Sequence, residues 1–257
     1  MCIALITPTG YRAEQFRLCQ QFMQRQTYKG DVVWVIVDDC LPLTTNSVGE
    51  GFKDNWTIIK VYPTPIWKPG DNTQGRNINC GIYTLLRNYK ESDIQAIFII
   101  EDDDYYRPIY LESMITRFGN FDVIGERNTV YYNVFFRGYV TNDNVKHASL
   151  FQIAFTPKAL PIFEQCYGQK FIDFVFFSMA QNVSLFNAGN LAIGIKGIKG
   201  RPGIGAGHVR TMYTRQDRLD TSMNWLHTQI GDDSKLYEKY YNDIPIRTET
   251  MFNRGKL

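Results

Sequence analysis

Ile97-Phe98-Ile99-Ile100-Glu101-Asp102-Asp103-Asp104-Tyr105-Tyr106-Arg107-Pro108 runs an apolar strand straight into four consecutive acids. Residues 97–100 are apolar at every position, the pattern of a central strand covered on both faces in a parallel sheet. Ligands of open α/β sheets gather beyond the carboxyl ends of such strands, so the acids fall at a ligand crevice. Asp102 and Asp104, one residue apart, are spaced to reach one hard cation. Oxygen ligands of that kind suit magnesium or manganese holding a substrate phosphate. The competing reading is a solvated turn, with Tyr105 to Pro108 starting the next helix. Four adjacent carboxylates repel one another, which favours a compensating cation.

Outward from this strand the chain alternates strand and helix. Residues 2–6 predict a strand, 11–28 a helix with Phe16, Cys19, Phe22 and Met23 on one face, and 32–37 a second strand. A third strand is expected at 56–62, a loop at the Pro-rich 63–69, and a helix at 77–89 that leads into the acid-tipped strand. This alternation predicts an α/β, Rossmann-like fold with a mostly parallel central sheet flanked by helices. The second half turns to a smaller mixed β/helical pattern. Strands are expected at 121–125, 130–137, 149–155 and within 187–195, helices at 157–167 and 171–181, and a mobile glycine-rich loop at 197–207. The tail from 221 carries short helical pieces.

A length of 257 residues suits one large α/β domain. With 44% hydrophobic and 21% charged residues the composition is that of a soluble globular protein. The 16 Tyr and 17 Phe make it rich in aromatics, which read first as core and second as sugar-stacking surface. A net charge of +2 gives no reason to expect a polyanion along the whole surface. One segment, 196–218, is biased: Lys196, Lys199, Arg201, Arg210, Arg215 and Arg218 stand against Asp217 alone. It reads as a solvated loop or as a phosphate-facing one. Five cysteines without CxxC spacing predict reduced thiols and a cytoplasmic setting. No apolar run approaches membrane-spanning length.

Three further features fall where a parallel sheet places its active edge. Thr7-Pro8-Thr9-Gly10 follows the first strand, Asp38-Asp39 the second, and Gly75-Arg76-Asn77 opens the helix before the acid strand. A helix start beside an arginine suits a diphosphate, and paired acids suit hydroxyls or a base edge. Each also has a plain structural reading, as a cap or a turn. Their coincidence on one edge raises the functional one.

Taken in order, Thr-Pro-Thr-Gly-x-Arg, Val-Ile-Val-Asp-Asp, Gly-Arg-Asn-x-x-x-Gly and Ile-Ile-Glu-Asp-Asp-Asp-x-Tyr resemble the family 2, GT-A-fold glycosyltransferases. The likeness is strong over the first half and fades beyond it; stand-alone bacteriophage enzymes, some of which glycosylate modified DNA bases, are also similar. It implies transfer of a sugar from a nucleotide-sugar, with UDP as the nucleotide, to a hydroxyl acceptor, with inversion. It also implies a divalent metal, manganese or magnesium. A single GT-A-like domain over 1–257 is then expected: a nucleotide-binding half at 1–105, an acceptor-binding half at 106–220 and an extension at 221–257.

By the same resemblance Thr7, Pro8, Thr9, Arg12, Asp38, Asp39, Arg76, Asp102, Asp103 and Arg201 face the nucleotide-sugar, and Asp102, Asp104 and His208 hold the metal. His208 closes the run 203–208 and reads equally as a surface histidine in a basic loop. Asp173 is the expected catalytic base. It is the only acid of 171–181, among Phe171, Phe174, Phe176 and Phe177, an apolar setting that raises a carboxyl pKa. Ile172 stands where the family has a Glu, and Glu126 and Glu164 are rival bases. The acceptor is a hydroxymethylated DNA base, a glycan or a lipid-linked sugar. Two alternatives stand beside the transferase: a sugar-phosphate nucleotidyltransferase, whose opening Gly-rich basic loop is not matched by 7–12, and a non-catalytic sugar or nucleic-acid binding module. In either transferase reading the protein is expected in a bacterial or phage-infected host cytoplasm.

Overall fold

A computed structural model of the chain describes residues 1–41, 44–45, 48–201, 203, 206–213 and 215–240. The last part of the expected extension, 241–257, lies outside these residues, as do positions 202, 204 and 205 of the glycine-rich loop. The first half follows the apolar runs. Strands β1 (Cys2–Thr9), β2 (Val32–Asp38), β3 (Trp56–Val61) and β4 (Ile94–Ile99) are joined by helices α1 (Ala13–Gln24) and α2 (Gln74–Asn88). All four strands run parallel, in the order β4-β1-β2-β3. Alternate residues feed two cores. Ile3, Leu5, Trp34 and Phe98 pack with Phe16 and Phe22 of α1, while Ala4, Ile6, Val35 and Ile97 pack with Ile78, Ile82 and Leu85 of α2. Both faces of β2 and β4 are covered, which is why these strands read as apolar runs, whereas edge strand β3 is mostly half-buried and carries Thr57 and Lys60.

The second half contributes β5 (Tyr105–Tyr106), α3 (Tyr110–Ile115), β6 (Val123–Glu126), β7 (Asn128–Asn133), β8 (Gly138–Asp143), β9 (Ile153–Phe155), α4 (Leu160–Glu164), α5 (Ile172–Met179), β10 (Val183–Phe186), β11 (Ala192–Lys196) and α6 (Asn224–Ile230). The central sheet has seven strands, β10-β6-β9-β4-β1-β2-β3, with β9 antiparallel to both neighbours; a second sheet has the order β5-β11-β7-β8. The expected strand at 130–137 is one arm of a β7–β8 hairpin, turned at Arg137, whose φ of 47° carries no glycine signature. Tyr105 and Tyr106 do not begin a helix. Both rings are buried, and Ile193 of β11 pairs with Tyr105. That pairing brings the second sheet against the acid-tipped end of β4. Among the described residues no helix is long and apolar enough to cross a membrane, and all five cysteines are free.

Candidate active site

The register of the parallel strands sets the site. Thr9 of β1 lies opposite Asp38 of β2, and the Ile100 N–H donates to the Ile6 carbonyl at 3.0 Å, so β1, β2 and β4 end together on one edge. Beyond that edge lies a cleft of about 540 Å³. Its lining takes in Pro8, Thr9, Arg12, Asp102, Asp103 and Arg201 at one end, and Asp173, Phe171, Phe174, His147, Asn142 and Asn144 at the other.

The four acids after β4 have separate fates. Asp102 is buried, with Oδ2 accepting from the Thr9 hydroxyl at 2.7 Å and Oδ1 from the Arg12 guanidinium at 2.8 Å. Asp104 is buried on the other side, where Oδ1 accepts from the Ile195 N–H at 3.0 Å and from Lys196 Nζ at 2.7 Å. Asp103 lies between the two cations, 3.1 Å from Lys196 Nζ and 3.5 Å from Arg12. Burial alone would raise its pKa, but Lys196 and Arg12 outweigh it and hold Asp103 well below the usual carboxylate range. For Asp102 and Asp104 burial wins, and both are raised. Glu101 is bonded by the Gln74 amide and is pushed up to about 7, by burial first and by the negative charges of Asp103 and Asp173 as well.

Carboxylate oxygens of Glu101, Asp103 and Asp104 come within 4.8 Å of one another, and Asp104 Oδ2 is buried with no hydrogen-bond partner. Three hard oxygen donors with an orphaned buried oxygen among them fit a divalent cation such as magnesium or manganese. Asp102, expected as a ligand, stands outside this trio, with its two oxygens bonded by Thr9 and Arg12. His208 reaches toward Asp103, Nε2 to Oδ2 3.9 Å. Its pKa is lowered to about 4, by burial first and then by Lys196, so the imidazole is neutral near pH 7.

The residues expected around the nucleotide divide in two. Pro8, Thr9, Arg12, Asp102, Asp103 and Arg201 line the cleft. Thr7 is turned into the core, its hydroxyl accepting from the Trp34 indole at 2.8 Å. Asp38 is buried and holds the Thr45 N–H and hydroxyl, each at 3.0 Å. Asp39 is fully buried and ties elements together: Oδ2 accepts from Thr73 at 2.5 Å, Asn77 at 2.8 Å and Arg76 at 3.0 Å, and Oδ1 accepts from Arg201 at 2.9 Å. Gly10, at φ 147°, passes so close that a Cβ there would lie 2.3 Å from Asp39 Oδ1. Arg201 also donates its backbone N–H to the Tyr11 carbonyl at 3.2 Å, and its guanidinium stands 4.8 Å over the Trp67 ring. The basic loop is thereby closed against β1 and α2.

At the other end Asp173 opens onto the cleft from the first turn of α5, and burial raises its pKa, opposed by the Phe174 N–H and by His147. Phe171 and Phe174 flank it with 50% and 58% of their surface exposed. The rival bases are elsewhere. Glu126 is buried and accepts the N–H groups of Ala188, Asn190 and Leu191 at 3.3, 2.8 and 2.8 Å, and Glu164 is exposed on α4 away from the cleft. Sequence reasoning left Glu101 without a role and read Lys196 only as the start of a solvated or phosphate-facing segment. The one available signal was Lys196 itself, a lysine closing the apolar run 192–195.

No protein-family model matches this chain, and no curated protein does. Solved structures of S. aureus TarS superpose on 77% of it with a TM-score of 0.52 and 14% identity. The fold is GT-A-like. Two structures of TarS residues 1–349, in complex with UDP and with UDP-GlcNAc, each match 76% of the chain with a TM-score of 0.51, at 14% and 16% identity. The chain spans 37% of the longer TarS chain and about 60% of the shorter ones. The GT-A-like core is what the two proteins share.

Proposed function

We propose that this chain is a glycosyltransferase that moves a sugar from a nucleoside diphosphate sugar, with UDP as the nucleotide, to an acceptor hydroxyl. The observation that carries this reading is one cleft, on a GT-A-like sheet, lined by both the acids that follow β4 and the raised carboxyl of Asp173. The TarS structures that share this sheet hold UDP and UDP-GlcNAc. In this reading Pro8, Thr9, Arg12 and Arg201 bound the donor end, and the fully engaged Asp39 serves it by holding Arg76 and Arg201 in place. Asp173 takes the proton of the acceptor hydroxyl as that oxygen attacks the anomeric carbon opposite the departing diphosphate, which gives inversion. A divalent cation held by Glu101, Asp103 and Asp104 would offset the charge developing on the leaving group.

The acceptor best supported is a neutral saccharide. Exposed Phe171 and Phe174 offer apolar ring faces on either side of Asp173, with the amides of Asn142 and Asn144 in the same lining. A DNA acceptor needs cations free to meet phosphates. In the basic segment Lys196 is engaged by Asp103 and Asp104, Arg201 by Asp39 and Arg215 by Asp217, and Arg218 donates to the Met212 carbonyl, which among the described side chains leaves exposed Lys199, a short row for a phosphate backbone. The test is release of UDP from a panel of UDP-sugars with manganese, offered neutral glycosides or hydroxymethylated DNA at low and high salt. Faster release with a glycoside, insensitive to salt, is the expected result. Salt-sensitive release driven by DNA would overturn the acceptor assignment. No release from any donor, together with no UDP binding by calorimetry, would overturn the transferase reading itself.

A further inference from the structure

Lys196 ends β11, on the second sheet, yet its ammonium lies inside the acid cluster that ends β4 on the first. Its side chain is 4% exposed. The neighbouring Ile195 N–H and the ammonium converge on the same oxygen of Asp104, which fixes that carboxylate and leaves Oδ2 without a donor. Arg12 is the second cation of the cluster, bonded to Asp102. With all four carboxylates ionised, the state that binds a cation, they meet two permanent cations and two negative charges remain. Without Lys196 there would be three, around the same oxygen atoms.

We propose that Lys196 is a built-in counter-ion that keeps the acid cluster from capturing a divalent cation by itself, so that the cation loads together with a diphosphate. The inference rests on the cation reading given above. An ammonium held 2.7 and 3.1 Å from two of the three carboxylates repels any ion that they bind, at short range and in a poorly solvated pocket. A nucleoside diphosphate brings the missing negative charge. Lys196 is therefore a positioning and affinity-setting residue, acting on the cation through Asp103 and Asp104.

The experiment is a titration of the full chain with manganese, followed by the electron paramagnetic resonance of the free ion, with and without UDP. The wild type should bind manganese weakly alone and at least tenfold more tightly with UDP. K196M should bind manganese alone at least tenfold more tightly than the wild type, with a smaller gain from UDP. K196Q, which keeps a hydrogen-bond donor but no charge, should move with K196M. Wild-type affinity that UDP does not change, or folded K196M or K196Q binding no tighter than the wild type, overturns the inference. If K196M does not fold, the wild-type pair and K196Q decide. Manganese binding absent in every state, with UDP binding intact, removes the cation reading and this inference with it.

Discussion

Asp173 stood out in the sequence as a candidate base because a single acid stands in an aromatic-rich run, and α5 carries it to the cleft. Asp173→Asn keeps the size of the side chain and removes its basicity. Transfer is expected to fall about 10²–10⁴-fold, the usual contribution of a general base, with UDP affinity unchanged in calorimetry. Because burial raises this carboxyl and only its ionised form accepts the proton, kcat/KM should fall with decreasing pH through a limb above the ordinary carboxylate range. Phe174→Ala should raise the acceptor KM several-fold, in line with about 0.5–1.5 kcal/mol for an aromatic contact, and leave donor hydrolysis in water unaltered. Glu101 and Lys196 were not legible in the same way. Which carboxylates share a pocket depends on how β5 pairs with β11, a contact between residues nearly ninety positions apart.

At the scale of elements, the parallel strands were readable because burial on both faces leaves an unbroken apolar run, whereas a strand such as β8 alternates and is largely polar at its end. The hairpin turn was hard to read because its Asn133 and Gly138 stand at the two strand ends, separated by four residues, and its left-handed position falls on Arg137. The Asp-Asp pair at the end of β2 lies at the expected edge, and in the structure both carboxylates join elements. Asp39 gathers the start of α2 and the basic loop on one buried carboxylate, and Asp38 gathers the chain that leaves β2. Asp39→Ala strips the partner from Arg201 and from the α2 start, and is expected to cost about 3–5 kcal/mol in urea unfolding, as for a broken buried ion pair. Gly10→Ala should destabilise through the same contact, since its Cβ meets Asp39 and its φ is positive. A variant at Gly75 tests a different seam, because a Cβ there would lie 2.0 Å from the Tyr167 carbonyl oxygen and push α2 away from the chain that follows α4.

For the molecule as a whole, the cleft imposes two opposed pH dependences on stability. Glu101, raised from 4.5 to about 7, binds its proton more tightly in the folded state, so its contribution is full at low pH and is lost as pH rises toward 7. His208, lowered from 6.5 to about 4, does the reverse and costs stability as pH falls below 6.5. The two slopes overlap and partly cancel in the metal-free protein. Thermal melts from pH 4 to 8 in a chelator should therefore show stability rising more steeply with pH in Glu101→Gln and falling with pH in His208→Ala; parallel curves for both variants would refute the assignment. The carboxylate of Glu126, remote from all this chemistry, grips the Leu191 N–H, and Lys196 enters the acid cluster five residues later. Along a strand successive side chains change face, so one residue inserted between them would turn Ile195 toward the acids, one deleted would put Gly197 there, and either would turn the lysine away. The count from Leu191 to Lys196 is therefore set by the carboxylate contacts at its two ends.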